Sequence, residues 1–183
     1  MNIVSNSCIG AYLMRDYYKY QYNNPFCWSF ILVDDFVTLM NEWDNINFMK
    51  YTLEKRGKKL EDGFKTIIDG KVTLLWYHYR FSKKYKEHTQ IGISVYSNHI
   101  WEYIIEKYEE RTKRMLAANE KPIFIFADSY NYKCEGPIEE RRKKIEGSTT
   151  PYKKFFFDSN EYNYHNDNKG FTKAIYEVIK DKI

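Results

Sequence analysis

Pro122-Ile123-Phe124-Ile125-Phe126-Ala127-Asp128-Ser129 decides how this chain is read. The run Ile123 to Ala127 is short, almost wholly apolar and stopped by Asp128-Ser129, so it reads as a strand. A strand with no polar alternation is covered on both faces, as in a parallel sheet lying between helices. At five residues it is also the longest unbroken apolar run in the chain, so no segment is expected to cross a bilayer.

The neighbouring segments fit that reading. Upstream, Ser97 or Asn98 opens a helix whose Trp101, Ile104, Ile105, Tyr108, Met115 and Leu116 form one stripe. Downstream, Pro137 begins a short charged helix over Ile138–Ile145, Tyr152–Phe157 reads as a strand, and Phe171–Ile179 as a closing helix. At the start, Met1–Ser5 reads as a strand, and Ile9, Tyr12, Leu13 and Tyr17 recur at helical spacing from Cys8 to about Tyr20. Asn23-Asn24-Pro25 punctuates the chain, and Phe26–Leu32 is a strand-like or irregular run. Asp34 is placed to cap a helix bearing Phe36, Leu39, Met40 and Trp43. The stretch from Phe48 to Lys58 is ambiguous. Thr66-Ile67-Ile68 and Val72–Tyr77 flank Asp69-Gly70, which predicts a type I′ β-hairpin, and polar Ser82–Gln90 reads as a loop. The expected fold is therefore α/β: a single domain over residues 1–183, with a mainly parallel sheet, flanking helices and a β-hairpin.

Composition narrows the function classes. In 183 residues, Lys+Arg 29 against Asp+Glu 25 leaves +4, too evenly spread for a nucleic-acid partner. Cys8, Cys27 and Cys134 are odd in number and widely spaced, which fits free thiols in a reducing compartment. With no basic-then-apolar leader at the start, the expected location is cytoplasmic. No HExxH, paired CxxC, Walker loop, GxGxxG or GxSxG occurs, so no metal is predicted, and dinucleotide and nucleotide-driven chemistry are disfavoured.

Ligands of open α/β sheets collect beyond the carboxyl ends of the strands. Three such ends carry chemistry here: Ser5–Gly10, Asp128-Ser129 and Asp158. A thiol at Cys8, in the first helical turn, would lie beside amides that stabilise a thiolate, or that could hold a phosphate or an oxyanion. Asn6 and Ser7 adjoin that cradle, with Asn6 as a further donor, and Gly10 would let a ligand approach the backbone. The alternative is a small buried cysteine with Asn6 closing a turn. A cysteine nucleophile needs a base, for which His78 and then His165 are the candidates, with Asp128 or Asp158 as orienting carboxylates. Arg111 and Arg114 share a helix face, either as a phosphate or carboxylate clamp or as part of a solvated charged face.

The opening words also resemble a family. Ile3-Val4-Ser5-Asn6-Ser7-Cys8-Ile9-Gly10, then Asn24-Pro25-Phe26 with Trp28, Phe30 and Ile31, is similar to bacterial domains of unassigned function known as exopolysaccharide biosynthesis proteins. Those begin Ser-Asn-Asn-Cys-x-Gly-Gly and continue with Ser-Pro-Phe, and His78-Tyr79, Trp101, Arg111 and Arg114 fall in the family's order. Ser7 and Ala11 depart from the pattern. A neighbouring papain-like cysteine peptidase group has Pro-Phe-Asp-Trp where this chain has Pro25-Phe26-Cys27-Trp28. The Asn-Cys start also looks like that of capsule-cluster acyltransferases proposed to bind coenzyme A.

The resemblance implies an α/β fold and a place in capsule, exopolysaccharide or lipooligosaccharide assembly. Combined with the residues, it leads to an expected O-acetyltransferase that takes its acyl group from a small-molecule donor such as coenzyme A. The acceptor would be a glycan or nucleotide sugar. Cys8 would be the nucleophile, His78 the base with His165 in reserve, Asn6 and the amides near Gly10 the oxyanion donors, and Arg111 and Arg114 the phosphate ligands. Asp128 joins the substrate-binding set. The alternatives are a papain-like cysteine hydrolase using the same pair, and a non-catalytic glycan- or nucleotide-binding accessory protein.

Overall fold

A computed structural model describes residues 1–20, 24–27, 29–55, 64–76, 80–82, 87–90, 93–96, 100–128, 136–161 and 168–183. In chain order the first half contains β1 (Asn2–Ser5), α1 (Ile9–Tyr12), α2 (Val33–Glu42), β2 (Tyr51–Lys55), β3 (Phe64–Ile68) and β4 (Val72–Trp76). There follow β5 (Arg80–Ser82), β6 (Glu87–Gln90), β7 (Ile93–Tyr96), α3 (Ile100–Ala118), β8 (Pro122–Asp128), α4 (Ile138–Glu146), β9 (Lys153–Asp158) and α5 (Asn168–Ile179).

The apolar run Ile123 to Ala127 lies in β8, the middle strand of a parallel sheet ordered β1-β8-β9. Val4 lies opposite Phe124, and Ala127 and Asp128 lie opposite Phe157 and Asp158. Because successive side chains leave a strand on opposite faces, the sheet feeds two cores. Val4, Phe124 and Phe126 pack with Phe36 and Leu39 of α2, Tyr108 of α3, Ile145 of α4 and residues of β3 and β4. Ile3, Ile125, Ala127 and Phe157 pack on the other side with Ile9 and Ala11 of α1 and Phe171, Ile175 and Ile179 of α5. This two-sided cover is the physical reason that β8 carries no polar residue between Pro122 and Asp128. Phe126 anchors the first core, stacked on Phe156 at 5.6 Å and met edge-on by Phe36 at 5.5 Å.

The hairpin forms at the predicted dipeptide. Asp69 and Gly70 both have positive φ, 50° and 67°, as a type I′ turn requires. It is extended on one side: β2, in the stretch that sequence left ambiguous, pairs antiparallel with β3 and completes a three-stranded sheet. Asp69 fastens that addition, accepting from Lys50 Nζ at 2.9 Å and from the Asn47 N–H at 3.3 Å, which holds its carboxyl below the usual carboxylate range. The stretch expected as a loop over Ser82–Gln90 instead enters a second antiparallel sheet, β5-β6-β7. Glu87-His88-Thr89-Gln90 has no apolar alternation, so its strand character comes from backbone pairing with Ile93–Tyr96 and leaves no trace in hydrophobicity.

Two helix starts differ from expectation. The turn after β1 does open a helix, but α1 is four residues long and widens into a π-helix over Leu13–Tyr17, closed by the Tyr18 N–H on Leu13 O at 3.2 Å. The N-cap of α2 is Leu32, which places Asp34 and Asp35 in its first turn, not at its cap. There their charge still favours the helix's positive end, and Asp35 accepts the Thr73 N–H at 3.0 Å, tying α2 to β4. No helix among the described residues is long and apolar enough to cross a membrane.

Candidate functional site

The carboxyl ends of β1, β8 and β9 lie side by side and bring Asn6, Asp128 and Asp158 to one edge of the parallel sheet. Asn6 is fully buried there. Its Oδ1 accepts the Ala127 N–H at 2.8 Å, and its Nδ2 donates to the Ala127 carbonyl at 3.3 Å. One side-chain amide thus continues the ladder where the β1 backbone turns away. The expected oxyanion donor is a strand terminator, because both ends of its amide are committed to β8.

Ser7 shapes the turn ahead of the helix, whose N-cap is Cys8. The Ser7 Oγ accepts the Ile9 N–H at 3.4 Å, and its own N–H donates to Ser5 Oγ at 3.4 Å. Gly10 serves packing: a Cβ there would fall 2.7 Å from the Ser5 Cβ, so α1 lies tight on β1 because residue 10 has no side chain. That contact is with the protein's own strand, not with space for a ligand.

Cys8 sits where expected, at the start of α1, with its carbonyl accepting the Tyr12 N–H at 3.1 Å, and it is partly buried. Its thiol is not the stabilised thiolate that a helix start suggests. Burial pushes it up to about 12, and the neighbouring Cys27 adds to the rise; a backbone hydrogen bond at Cys8 opposes them only in part. Cys27 is buried, and its Sγ donates to Asn24 Oδ1 at 3.4 Å. Burial raises that thiol to about 11, against the pull of Arg111 and Arg114.

Cys27 belongs to a turn pinned along the outer edge of β1 by Asn24. The Asn24 amide, fully buried, donates to the Ile3 carbonyl at 2.6 Å and to Asn2 Oδ1 at 3.1 Å, and accepts the Phe26 N–H at 3.1 Å. Farther along, the Ile31 N–H donates to the Asn6 carbonyl at 3.0 Å. In local pattern Asn24-Pro25 reads as punctuation, and nothing in the sequence marks a buried amide there.

The two arginines part company. Arg111 is buried, and its Nη1 donates to the Cys27 carbonyl at 2.9 Å. Arg114 is exposed, with Nε on the Glu110 carbonyl at 3.3 Å. Arg111 touches the turn that holds Cys27, and the charges of both arginines act against the rise of the Cys27 thiol.

Asp128 is claimed by the protein. Arg141 of α4 grips it through Nε at 2.5 Å and Nη2 at 2.9 Å, and Arg141 Nη1 donates to the Gly136 carbonyl. Both side chains are almost wholly buried. The expected substrate or orienting carboxylate is therefore one half of an internal ion pair, a role hidden because Arg141 reads as one charge among many on a charged helix. Asp158 closes a turn, its Oδ1 accepting both the N–H and the Nδ2 of Asn160 at 2.8 Å.

His78 and His165, with His99 and the side chain of His88, lie outside the described residues. Among the described residues no cluster of three or more His, Cys, Asp or Glu side chains is arranged to hold a metal ion. Comparison of the chain with models of known families and with curated proteins yields no match. The likeness of the N-terminal words therefore rests on those residues alone.

Proposed function

We propose that this chain is an acyltransferase of bacterial surface-glycan assembly in which Cys8 is the reacting residue. One observation carries the reading: a partly buried thiol stands directly after β1, at the carboxyl edge of a parallel sheet, where α/β proteins bind their ligands. The similarity of Ser5–Gly10 and of Asn24-Pro25-Phe26 to exopolysaccharide biosynthesis proteins supplies the context. The thiol is protonated at neutral pH, so attack requires a base acting in the same step. His78 takes that role, with His165 in reserve. The sulfur attacks the acyl carbonyl, the imidazole receives its proton, and the donor's thiolate departs as a thiol with that proton. Coenzyme A is the donor proposed, and a sugar hydroxyl of a glycan or nucleotide sugar the acceptor. Asn6 and Asp128 have no direct part, since Ala127 and Arg141 occupy them.

A second reading, a non-catalytic accessory protein that binds a glycan or nucleotide, draws on the same raised thiol and the committed Asn6 amide. Acetyl transfer from acetyl-coenzyme A, measured for the intact chain and for Cys8→Ala, separates them. A loss of about a hundredfold or more is expected of a nucleophile with its base; unchanged turnover removes Cys8 from the reaction.

A further inference from the structure

Arg111 is 8% exposed and carries a charge that protein environments do not remove. A buried guanidinium is ordinarily matched by a carboxylate, as Arg141 is by Asp128. Arg111 has no such match among the described residues. Among the described residues its one hydrogen bond goes to the neutral Cys27 carbonyl, and it enters no ion pair. The acids beside it on α3 make their ion pairs elsewhere: Glu110 with Lys107, although both arginines also help to hold its carboxyl low, and Glu109 with Lys113 and the Tyr51 hydroxyl. Facing it from the 24–27 turn is the Cys27 thiol, which burial keeps protonated.

Nε and Nη2 of Arg111 make no hydrogen bond among the described residues. They lie side by side in the planar fork that fits two oxygens of one anion. Arg114, three residues on, adds a second guanidinium, which donates through Nε to the Glu110 carbonyl and forms no ion pair among the described residues. Two positive charges three residues apart, one of them buried with no ion pair among the described residues and with only the Glu110 carboxylate, itself bound to Lys107, in electrostatic reach, leave room for an anion.

We propose that Arg111, assisted by Arg114, binds a phosphate group of a soluble ligand against the Asn24–Cys27 turn. The inference rests on the acyltransferase reading for placing this ligand beside Cys8, but its own measurement needs no turnover. Inorganic phosphate, coenzyme A and uridine diphosphate are each titrated by calorimetry into the intact chain at constant ionic strength, with chloride and acetate as controls. Saturable binding of one or more of the three is expected, weakened roughly tenfold or more in Arg111→Gln. Tightest binding of coenzyme A identifies an acyl donor, of uridine diphosphate a nucleotide sugar, and of inorganic phosphate alone a free-phosphate site.

Arg111→Lys serves if the glutamine variant does not fold: it keeps the charge but not the fork, and phosphate affinity falls roughly threefold or more. A purely structural arginine would lower stability in these variants and leave phosphate affinity where it was. No saturable binding, an equal response to chloride, or unchanged affinity in the folded variant overturns the site. The same titration on Cys8→Ala keeps the two proposals apart. Phosphate binding with unaltered acetyl transfer in that variant sinks the acyl reading alone, and lost transfer without phosphate binding in the intact chain sinks the anion site alone.

Discussion

The Asn6 side chain pairs with Ala127 as a strand backbone would, accepting its N–H and donating to its carbonyl. A polar residue that looked like a catalytic donor thus ends β1 and holds it to β8. Asn6 and Ala127 are 121 positions apart, so the pairing joins the first strand to the far half of the chain.

This pairing makes Asn6 a stability residue. In Asn6→Ala the Ala127 N–H and carbonyl lose their partners in a buried place, at a cost of roughly 1–3 kcal/mol. Asn6→Asp costs more, because a carboxylate cannot donate to the Ala127 carbonyl and brings a charge into the core. Urea denaturation measures both. A direct oxyanion donor would show the opposite pattern, with stability intact and turnover lost.

The Asp128–Arg141 pair gives an asymmetric prediction. Arg141→Met strands the Asp128 carboxylate in the interior and destabilises by roughly 3–5 kcal/mol, whereas Asp128→Leu with Arg141→Met is near neutral or better. Denaturation of the single and double variants tests this. Equal losses in both would mean the pair contributes its full Coulomb attraction to stability.

Gly10→Ala tests the close seat of α1 on β1. The added methyl meets the Ser5 Cβ at 2.7 Å in the present geometry, and relieving that overlap costs roughly 1–3 kcal/mol. Thermal melting reads the loss. A variant as stable as the parent would show that α1 moves freely off the strand.

Cys8 makes stability depend on alkaline pH. Its folded-state value of about 12 lies above the ordinary thiol value of 9.0, so the folded chain holds that proton while the unfolded chain releases it. Its contribution is fully present below about pH 9 and falls by up to about 1.4 kcal/mol per pH unit as the pH climbs toward 12. Cys8→Ala should flatten the decline in unfolding free energy between about pH 9 and 10.5. An identical slope in the variant would show that the thiol is ionised as easily in the folded state as in the unfolded one. Iodoacetamide labelling of Cys8 should likewise keep accelerating through that range, without the plateau near neutrality that a stabilised thiolate gives.

Much of the architecture could be read from local pattern. The unbroken apolar run from Ile123 to Ala127 foretold cover on both faces because each of its faces meets a core, and Asp69-Gly70 foretold the hairpin because both residues must take positive φ. The stripe on α3 was legible at Ile104, Tyr108 and Met115, all buried, but Leu116 is 49% exposed, having turned about 120° from Ile104. The same arithmetic shows what was overlooked: residue 111 returns to within about 20° of Ile104, so Arg111 belongs on the buried stripe and not on a solvated face. The polar strand β6 and the partners of Asn6 and Asp128 were not legible, because backbone pairing and contacts across the chain leave no periodic trace.

Trapping the acyl group is the most direct test that Cys8 reacts. The chain is incubated with acetyl-coenzyme A, quenched in acid and digested, and the cysteine-bearing peptides are read by tandem mass spectrometry. An acetyl thioester on the Cys8 peptide, absent from Cys8→Ala, is the predicted result. No thioester on that peptide, or one confined to Cys27 or Cys134, contradicts it.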